Sequence, residues 1–68
     1  MCQMRVVMDN EAGRENILDA ATKLEVSAAG ITLHAFFDPP RLIAGATIRE
    51  IDFLEGLTVL APQAGDGR

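Results

Sequence analysis

Short runs of alternating apolar and polar residues, separated by turn-favouring residues, make up most of this sequence. The alternation is strictest at residues 24–37 and again at residues 57–61. It predicts half-buried β-strands, because successive side chains of a strand point to opposite faces of its sheet. The segments between the runs, such as Asp9–Gly13 and Asp38–Arg41, contain Gly, Pro, Asp and Asn, which favour turns. We therefore expect an all-β domain.

The expected architecture is a small, partly open antiparallel β-barrel of five or six short strands. An open sheet completed by a partner chain is the alternative. Residues 19–23 are ambiguous, because the apolar side chains around them would also share one face of a short helix. We expect one domain at residues 1–61 and a disordered tail at residues 62–68, which has little to bury. Candidate strands lie at residues 4–8, 14–18, 24–28, 31–37, 42–44, 48–53 and 57–61, with Ala29-Gly30 as a hairpin turn.

The length and composition predict self-association. A chain of 68 residues buries only ~60% of the surface that it exposes when unfolded. Apolar residues make up 49% of the chain, but three phenylalanines are its only aromatic residues and its one cysteine cannot form an intrachain disulfide. Small domains of this kind often gain stability by association, so we expect a homodimer.

The charge distribution argues against nucleic acid as a partner. The net charge is −4, and no two of the six basic residues are adjacent in the sequence. Clustered Lys and Arg provide most of the affinity for phosphates, so nucleic-acid binding is unlikely in a chain of this composition. No apolar run approaches the ~20 residues of a membrane helix, and we expect a cytoplasmic protein.

Cys2 is the strongest candidate for a functional residue. A small second residue permits removal of the initiator Met, and the α-amino group and thiolate of Cys2 then form a two-point chelate. The deprotonated backbone nitrogen of Gln3 can supply a further donor. Sulfur and nitrogen donors in one plane suit Ni(II) or Cu(II), which prefer tetragonal geometry. The alternative is a small apolar residue or an ordinary exposed thiol, since neither a second Cys nor a neighbouring His supports the site.

The remaining chemically capable residues give weaker signals. His34, the only histidine, is predicted on a half-exposed strand, where it is an auxiliary nitrogen donor only if folding brings it near Cys2. Phe36 and Phe37 are expected on opposite faces, one in the core and the other either at a dimer contact, which we favour, or as a platform on which bases stack. Glu50 and Asp52 fit a solvated strand face better than acid–base catalysis. No catalytic triad, phosphate-binding glycine loop or CxxC pair is present in the sequence, so we expect a protein that is not an enzyme.

Three segments together resemble the CooT family. They are the opening Met1-Cys2-Gln3 before a predicted strand, the strand from Leu33 that ends in Phe36-Phe37-Asp38, and the run Gly45–Phe53. The family comprises small proteins linked to nickel delivery for carbon monoxide dehydrogenase, and its members have also been described as predicted RNA-binding proteins. The resemblance covers about residues 1–61.

The resemblance implies a homodimeric small β-barrel in which Cys2 binds Ni(II). It also implies that the protein is a metallochaperone-like accessory protein. The client is then a nickel enzyme such as carbon monoxide dehydrogenase, which the sequence alone does not name, and Cys2 is the only functional residue that carries over. The chain departs from the family pattern at Pro39-Pro40, where a less rigid acidic turn is expected. The alternative function is a small β-barrel RNA-binding module, because such barrels often present strands to single-stranded nucleic acid.

Overall fold

The computed structural model describes residues 3–63, and every regular element within them is a β-strand. The prediction of an all-β fold is confirmed, with seven strands where five or six were expected. The strands are β1 (Met4–Asn10), β2 (Gly13–Ala21), β3 (Lys23–Ser27), β4 (Gly30–His34), β5 (Arg41–Ala44), β6 (Ala46–Asp52) and β7 (Leu57–Pro62).

The strands form two sheets. One has four strands in the order β2-β1-β7-β6, and the other has three in the order β3-β4-β5. The chain passes between the sheets at two points, through Thr22 from β2 to β3 and through Gly45 from β5 to β6. Gly45 has a φ of 70°, a left-handed conformation that glycine adopts without a steric penalty. A single, partly open barrel was expected, whereas the strands of residues 3–63 form two sheets and no closed barrel.

One strand pair departs from the antiparallel arrangement that we expected. β1 pairs with β7 in parallel, in a register that runs from Arg5 opposite Leu57 to Met8 opposite Leu60. The other pairs, β1–β2, β3–β4, β4–β5 and β6–β7, are antiparallel. Sequence alternation specifies which face of a strand is buried but not the direction of its neighbour, so the pattern could not reveal this pair.

The core lies between the two sheets. Ile31 and Leu33 of β4 face Val6 of β1 and Leu60 of β7, and each of the four is at most 1% exposed. Met4 and Met8 pack against this cluster and are partly buried. The core is therefore built from the central strands of both sheets.

The β3–β4 hairpin differs from the prediction at both ends of β4. Ser27 pairs with Gly30, so the turn residues are Ala28 and Ala29. β4 ends at His34, three residues before the predicted end. Phe36 and Phe37 consequently leave the sheet and are 68% and 97% exposed, so the prediction that one of them lies in the core is wrong.

The ambiguous segment at residues 19–23 is extended. β2 continues to Ala21, which pairs with Met4 and is buried, and a bend at Thr22 starts the next strand. At the other end, β7 includes Pro62, and the amide of Gln63 donates to the carbonyl of Gly45 at 2.7 Å. The sheet thus reaches the residue at which we expected the tail to begin. Residues 64–68 of that tail lie outside the described residues.

Candidate metal centre

Cys2, the predicted metal ligand, lies outside the described residues, as does Met1. Gln3, whose backbone nitrogen is the predicted auxiliary donor, is the first residue that the structure describes, and it is exposed. The surroundings of Gln3 therefore define the part of the surface next to which the N-terminal chelate would lie.

The β6–β7 turn, Phe53–Gly56, lies on one side of Gln3 and contacts the start of β1. The backbone amide of Arg5 donates to the carbonyl of Gly56 at 2.8 Å, which ties the start of β1 to the turn. Gly56 has a φ of 68°, and a Cβ atom at this position would lie 3.4 Å from the carbonyl oxygen of Gln3. Glycine therefore allows the turn to be tight and leaves the Gln3 backbone unobstructed.

An open cleft of about 650 Å³ lies beside this turn, between the two sheets. Its interior is largely apolar, with Met4 and Ile48 from the four-stranded sheet and Leu24 from the three-stranded one. Gln3, Lys23 and Glu55 are among the polar residues that line it. The exposed side chains of Phe53 and Leu54 also line the cleft, so one side of the Gln3 region is an apolar turn.

A second, smaller cleft of about 350 Å³ lies on another side of Gln3. Residues 18–20 of β2 line it together with residues 35–38 of the loop that follows β4. Phe36 and Phe37 are part of this lining, and so are the carboxylates of Asp19 and Asp38. Gln3 thus lies between two exposed apolar segments, Phe53-Leu54 and Phe36-Phe37.

His34 is placed away from this arrangement. Its Nε2 atom lies 2.6 Å from Oε1 of Glu25 on the neighbouring strand, and it lines neither of the clefts that Gln3 lines. The hydrogen bond with His34, aided by the charge of Lys23, lowers the pKa of the Glu25 carboxyl. The structure therefore gives His34 a partner other than the N-terminal segment.

The carboxylates that the sequence offered for catalysis are not gathered into a site. Asp52 Oδ1 accepts a hydrogen bond from the amide of Glu55 at 3.0 Å, which stabilises the β6–β7 turn. Among residues 3–63, no group of three or more His, Cys, Asp or Glu side chains could hold a metal ion.

Comparison with known proteins decides the family. The model of the family described as CO dehydrogenase accessory protein CooT matches residues 1–61. The chain belongs to the CooT family. The fold agrees with a crystal structure described as CooT from Carboxydothermus hydrogenoformans, with a TM-score of 0.79 and 21% identity over 93% of this chain and 100% of that one. No curated protein matches the sequence.

Membership of CooT confirms the resemblance seen in the sequence and gives the chain an accessory role for CO dehydrogenase. Residues 3–63 of this CooT chain contain no helix that could cross a membrane. Sequence reasoning missed the Phe53–Gly56 turn and the loop after β4 as neighbours of Gln3. Both contain exposed phenylalanine beside turn residues, but nothing local in the sequence indicates that either lies next to the N-terminus.

Proposed function

We propose that this CooT chain binds Ni(II) through Cys2, as cargo that it delivers to CO dehydrogenase during maturation of that enzyme. Membership of the accessory family carries the proposal, since the family match begins at residue 1 and includes Cys2. The position of Cys2 adds a chemical reason, because a cysteine at the start of the mature chain offers two donors from one residue.

The donor set favours a nickel ion with a planar geometry. The α-amino group and the thiol have reference pKa values of roughly 7.7–8.0 and 8.5, so that a metal ion can displace both protons near neutral pH. The Gln3 amide nitrogen is a third donor, at the cost of a further deprotonation. Gln3 is exposed and lines two open clefts, so this donor belongs to a residue at the protein surface.

Two chains sharing one ion would complete the coordination. Planar Ni(II) takes four donors, and two symmetry-related N-termini supply two amines and two thiolates. A twofold homodimer allows this, because each surface meets its own copy across the axis. The alternatives are one ion per chain, completed by Gln3 and by His34, and a disulfide between two Cys2 residues, which needs no metal. The pairing of His34 with Glu25 favours the shared ion over the single-chain site.

Titration of the reduced protein with Ni(II) tests the proposal. We expect saturation near half an equivalent per chain, with the appearance of thiolate-to-nickel charge-transfer absorption. Cys2→Ala removes the thiolate and should abolish both signals, whereas the matched variant Gln3→Ala retains its backbone nitrogen and should keep them. Nickel binding that survives in Cys2→Ala would overturn the proposal. Saturation at one equivalent per chain would overturn only the shared geometry.

RNA binding is the second candidate function, and one observation favours it. Phe36 and Phe37 are both exposed, and exposed aromatic rings can stack on bases. The basic side chains do not support RNA binding by these rings. Arg14 and Arg49 both form ion pairs with Asp9, at 2.7 and 3.2 Å, so two of the six cations are partly neutralised within the protein. We rank this function below nickel delivery.

A further inference from the structure

The loop between β4 and β5 exposes two phenylalanine side chains next to each other. Phe36 is 68% exposed and Phe37 is 97% exposed, and their ring centroids lie 6.3 Å apart with planes tilted by 52°. The rings therefore contact each other and form one apolar surface, which we call the Phe36–Phe37 patch. Because a phenylalanine side chain buries roughly 150–250 Å² when covered, the patch offers on the order of 300 Å² to a partner.

The loop is stiffened in a way that favours binding. Pro39 and Pro40 follow directly after Asp38, and each proline restricts both its own backbone and that of the residue before it. At the far end, Arg41 begins β5 and pairs with Leu33 of β4. A loop held at both ends loses less conformational freedom when it is bound, so less of the interaction energy is lost to ordering.

The patch has acidic neighbours. Asp19 and Asp38 line the cleft that Phe36 and Phe37 also line, and both carboxylates are exposed. Asp19 accepts a hydrogen bond from Asn16 at 3.0 Å, which leaves its second oxygen available. Arg41 is absent from the lining of this cleft; it lines a neighbouring cleft that Asp38 also lines, and it donates to the carbonyl of Ile17 at 3.4 Å. The patch is therefore apolar at its centre and negative at its edge.

These features define one kind of occupant. We infer that the Phe36–Phe37 patch docks a protein partner that has an apolar pocket edged by Lys or Arg side chains, and that this partner is the client that receives the nickel. The inference rests on the proposed function for the identity of the client. Gln3 lines the same cleft as the patch, so a partner seated there would also meet the start of the chain.

Charge argues against the other occupants. A twofold contact between two copies through this patch would bring the carboxylates of Asp19 and Asp38 close to those of the other copy, in chains that each carry a charge of −4. Like charges at an interface disfavour association. RNA would meet the same two carboxylates with its phosphates. An apolar pocket with Lys or Arg at its edge complements both parts of the patch, because the pocket takes the rings and the cations pair with the carboxylates.

The size of the patch fits a transient complex. An interface built around some 300 Å² of aromatic surface resembles the small central cluster that carries most of the energy of a protein contact. Complexes of low total area form and dissociate readily. A protein that delivers a cargo must leave its client after transfer, so a small docking surface suits the proposed role.

Direct binding measurements with nickel-free CO dehydrogenase as the probe test this inference. We expect the double variant Phe36→Ser/Phe37→Ser to weaken binding at least tenfold while it keeps the thermal stability and the nickel titration of the wild type. Asp19→Asn/Asp38→Asn should weaken binding at low salt and reduce its salt dependence. The control is Val26→Thr, which changes a 70% exposed apolar residue elsewhere and should bind as the wild type does.

The outcomes separate this inference from the proposed function. Unchanged binding in the double phenylalanine variant, or no binding by the wild type, overturns the docking surface even if nickel titrates normally. Loss of dimerisation in the double variant, measured by analytical ultracentrifugation, assigns the patch to a second copy and overturns it as well. If the wild type binds single-stranded RNA and the double variant does not, the patch is an RNA contact and the inference is overturned. Failure of the wild type to bind nickel overturns the proposed function, and with it the role of the partner as a recipient of nickel, but not the docking surface.

Discussion

The side chains of His34 and Glu25 form a cross-strand pair, with Nε2 of the histidine 2.6 Å from Oε1 of the carboxylate. Glu25 lies on β3 and His34 is the last residue of β4, opposite Lys23 in the register. Leu33 precedes His34 on β4 and Leu24 precedes Glu25 on β3, and both leucines face the core. Because successive side chains of a strand point to opposite faces, His34 and Glu25 lie on the outer face of the three-stranded sheet. The only histidine therefore has a structural partner.

The pairing predicts that His34 is dispensable for nickel. His34→Ala should leave the nickel titration within about twofold of the wild type, because the proposed donors are at the N-terminus. The same substitution removes the main cause of the lowered pKa of Glu25, so that this pKa should rise toward its ordinary value of 4.5. Carboxyl chemical shifts followed by NMR across acidic pH measure the second effect. A nickel site lost in His34→Ala would instead support the single-chain geometry.

The ion pairs of Asp9 predict a specific loss of stability in acid. A hydrogen bond from Arg14 lowers the pKa of Asp9 from its ordinary value of 3.8; desolvation opposes this effect, and the charges of Arg14 and Arg49 add to it. A carboxyl with a lowered pKa stabilises the folded state fully above its unfolded pKa, and this contribution is lost as the pH falls through the folded pKa. The melting temperature of the wild type should therefore fall as the pH is lowered from about 5 to about 2.

The variant Asp9→Asn should be less stable than the wild type near neutral pH and should show a shallower decline over the same acidic range. Glu11→Gln is the matched control, since it removes an exposed carboxyl from the neighbouring turn without touching the ion pairs. An Asp9→Asn protein with the full acid dependence of the wild type would contradict the assignment.

Among the glycines of residues 3–63, Gly30 is predicted to be the least able to accept a side chain. Its φ is 143°, and a Cβ atom would lie 2.2 Å from the carbonyl oxygen of Ile43 on β5. Gly13 has a comparable φ of 128° but nothing within 4 Å of its Cβ position. Both alanine variants carry backbone strain, so their difference isolates the clash. Gly30→Ala should lower the free energy of unfolding by about 1–3 kcal/mol more than Gly13→Ala does, as measured by urea denaturation. Equal losses would show that β5 moves aside without cost.

We predict no binding of mixed-sequence single-stranded RNA at physiological salt. Affinity for phosphates requires clustered cations, and the net charge of −4 repels the backbone of RNA. Fluorescence anisotropy with a labelled oligonucleotide measures the interaction. Sub-micromolar binding that weakens steeply as salt rises would promote the RNA-binding alternative.

Much of the strand pattern could be predicted from the sequence, because the alternation correctly places Ile31 and Leu33 on the buried face, although Val26 in the same pattern is exposed. The end of β4 could not. The alternation continues through Phe37, but a strand ends where its neighbours end, and β5 pairs only as far as Arg41 opposite Leu33. The two phenylalanines therefore leave the sheet because no β5 residue is positioned to pair with them. Which residues of a neighbouring strand are available is determined by tertiary structure, not by the local sequence.

The candidate site shows the same division. Cys2 could be identified because its chemistry depends on its position at the start of the chain. The neighbours of Gln3 could not be identified, since Gly56 and Phe36 are remote in sequence and meet the first strand only in the folded sheet. Local patterns do not encode such proximity, and the turn at Phe53–Gly56 has no unusual composition that would mark it.

The parallel pairing of β1 with β7 has a consequence for biosynthesis. A nascent chain can pair β1 with β2 early, because the two strands are consecutive, but the other edge of β1 must wait for β7. β7 is the last strand of residues 3–63, so synthesis must pass Leu57 before β1 can acquire both neighbours. Until then β1 has an unpaired strand edge, the kind of surface that can pair with another chain.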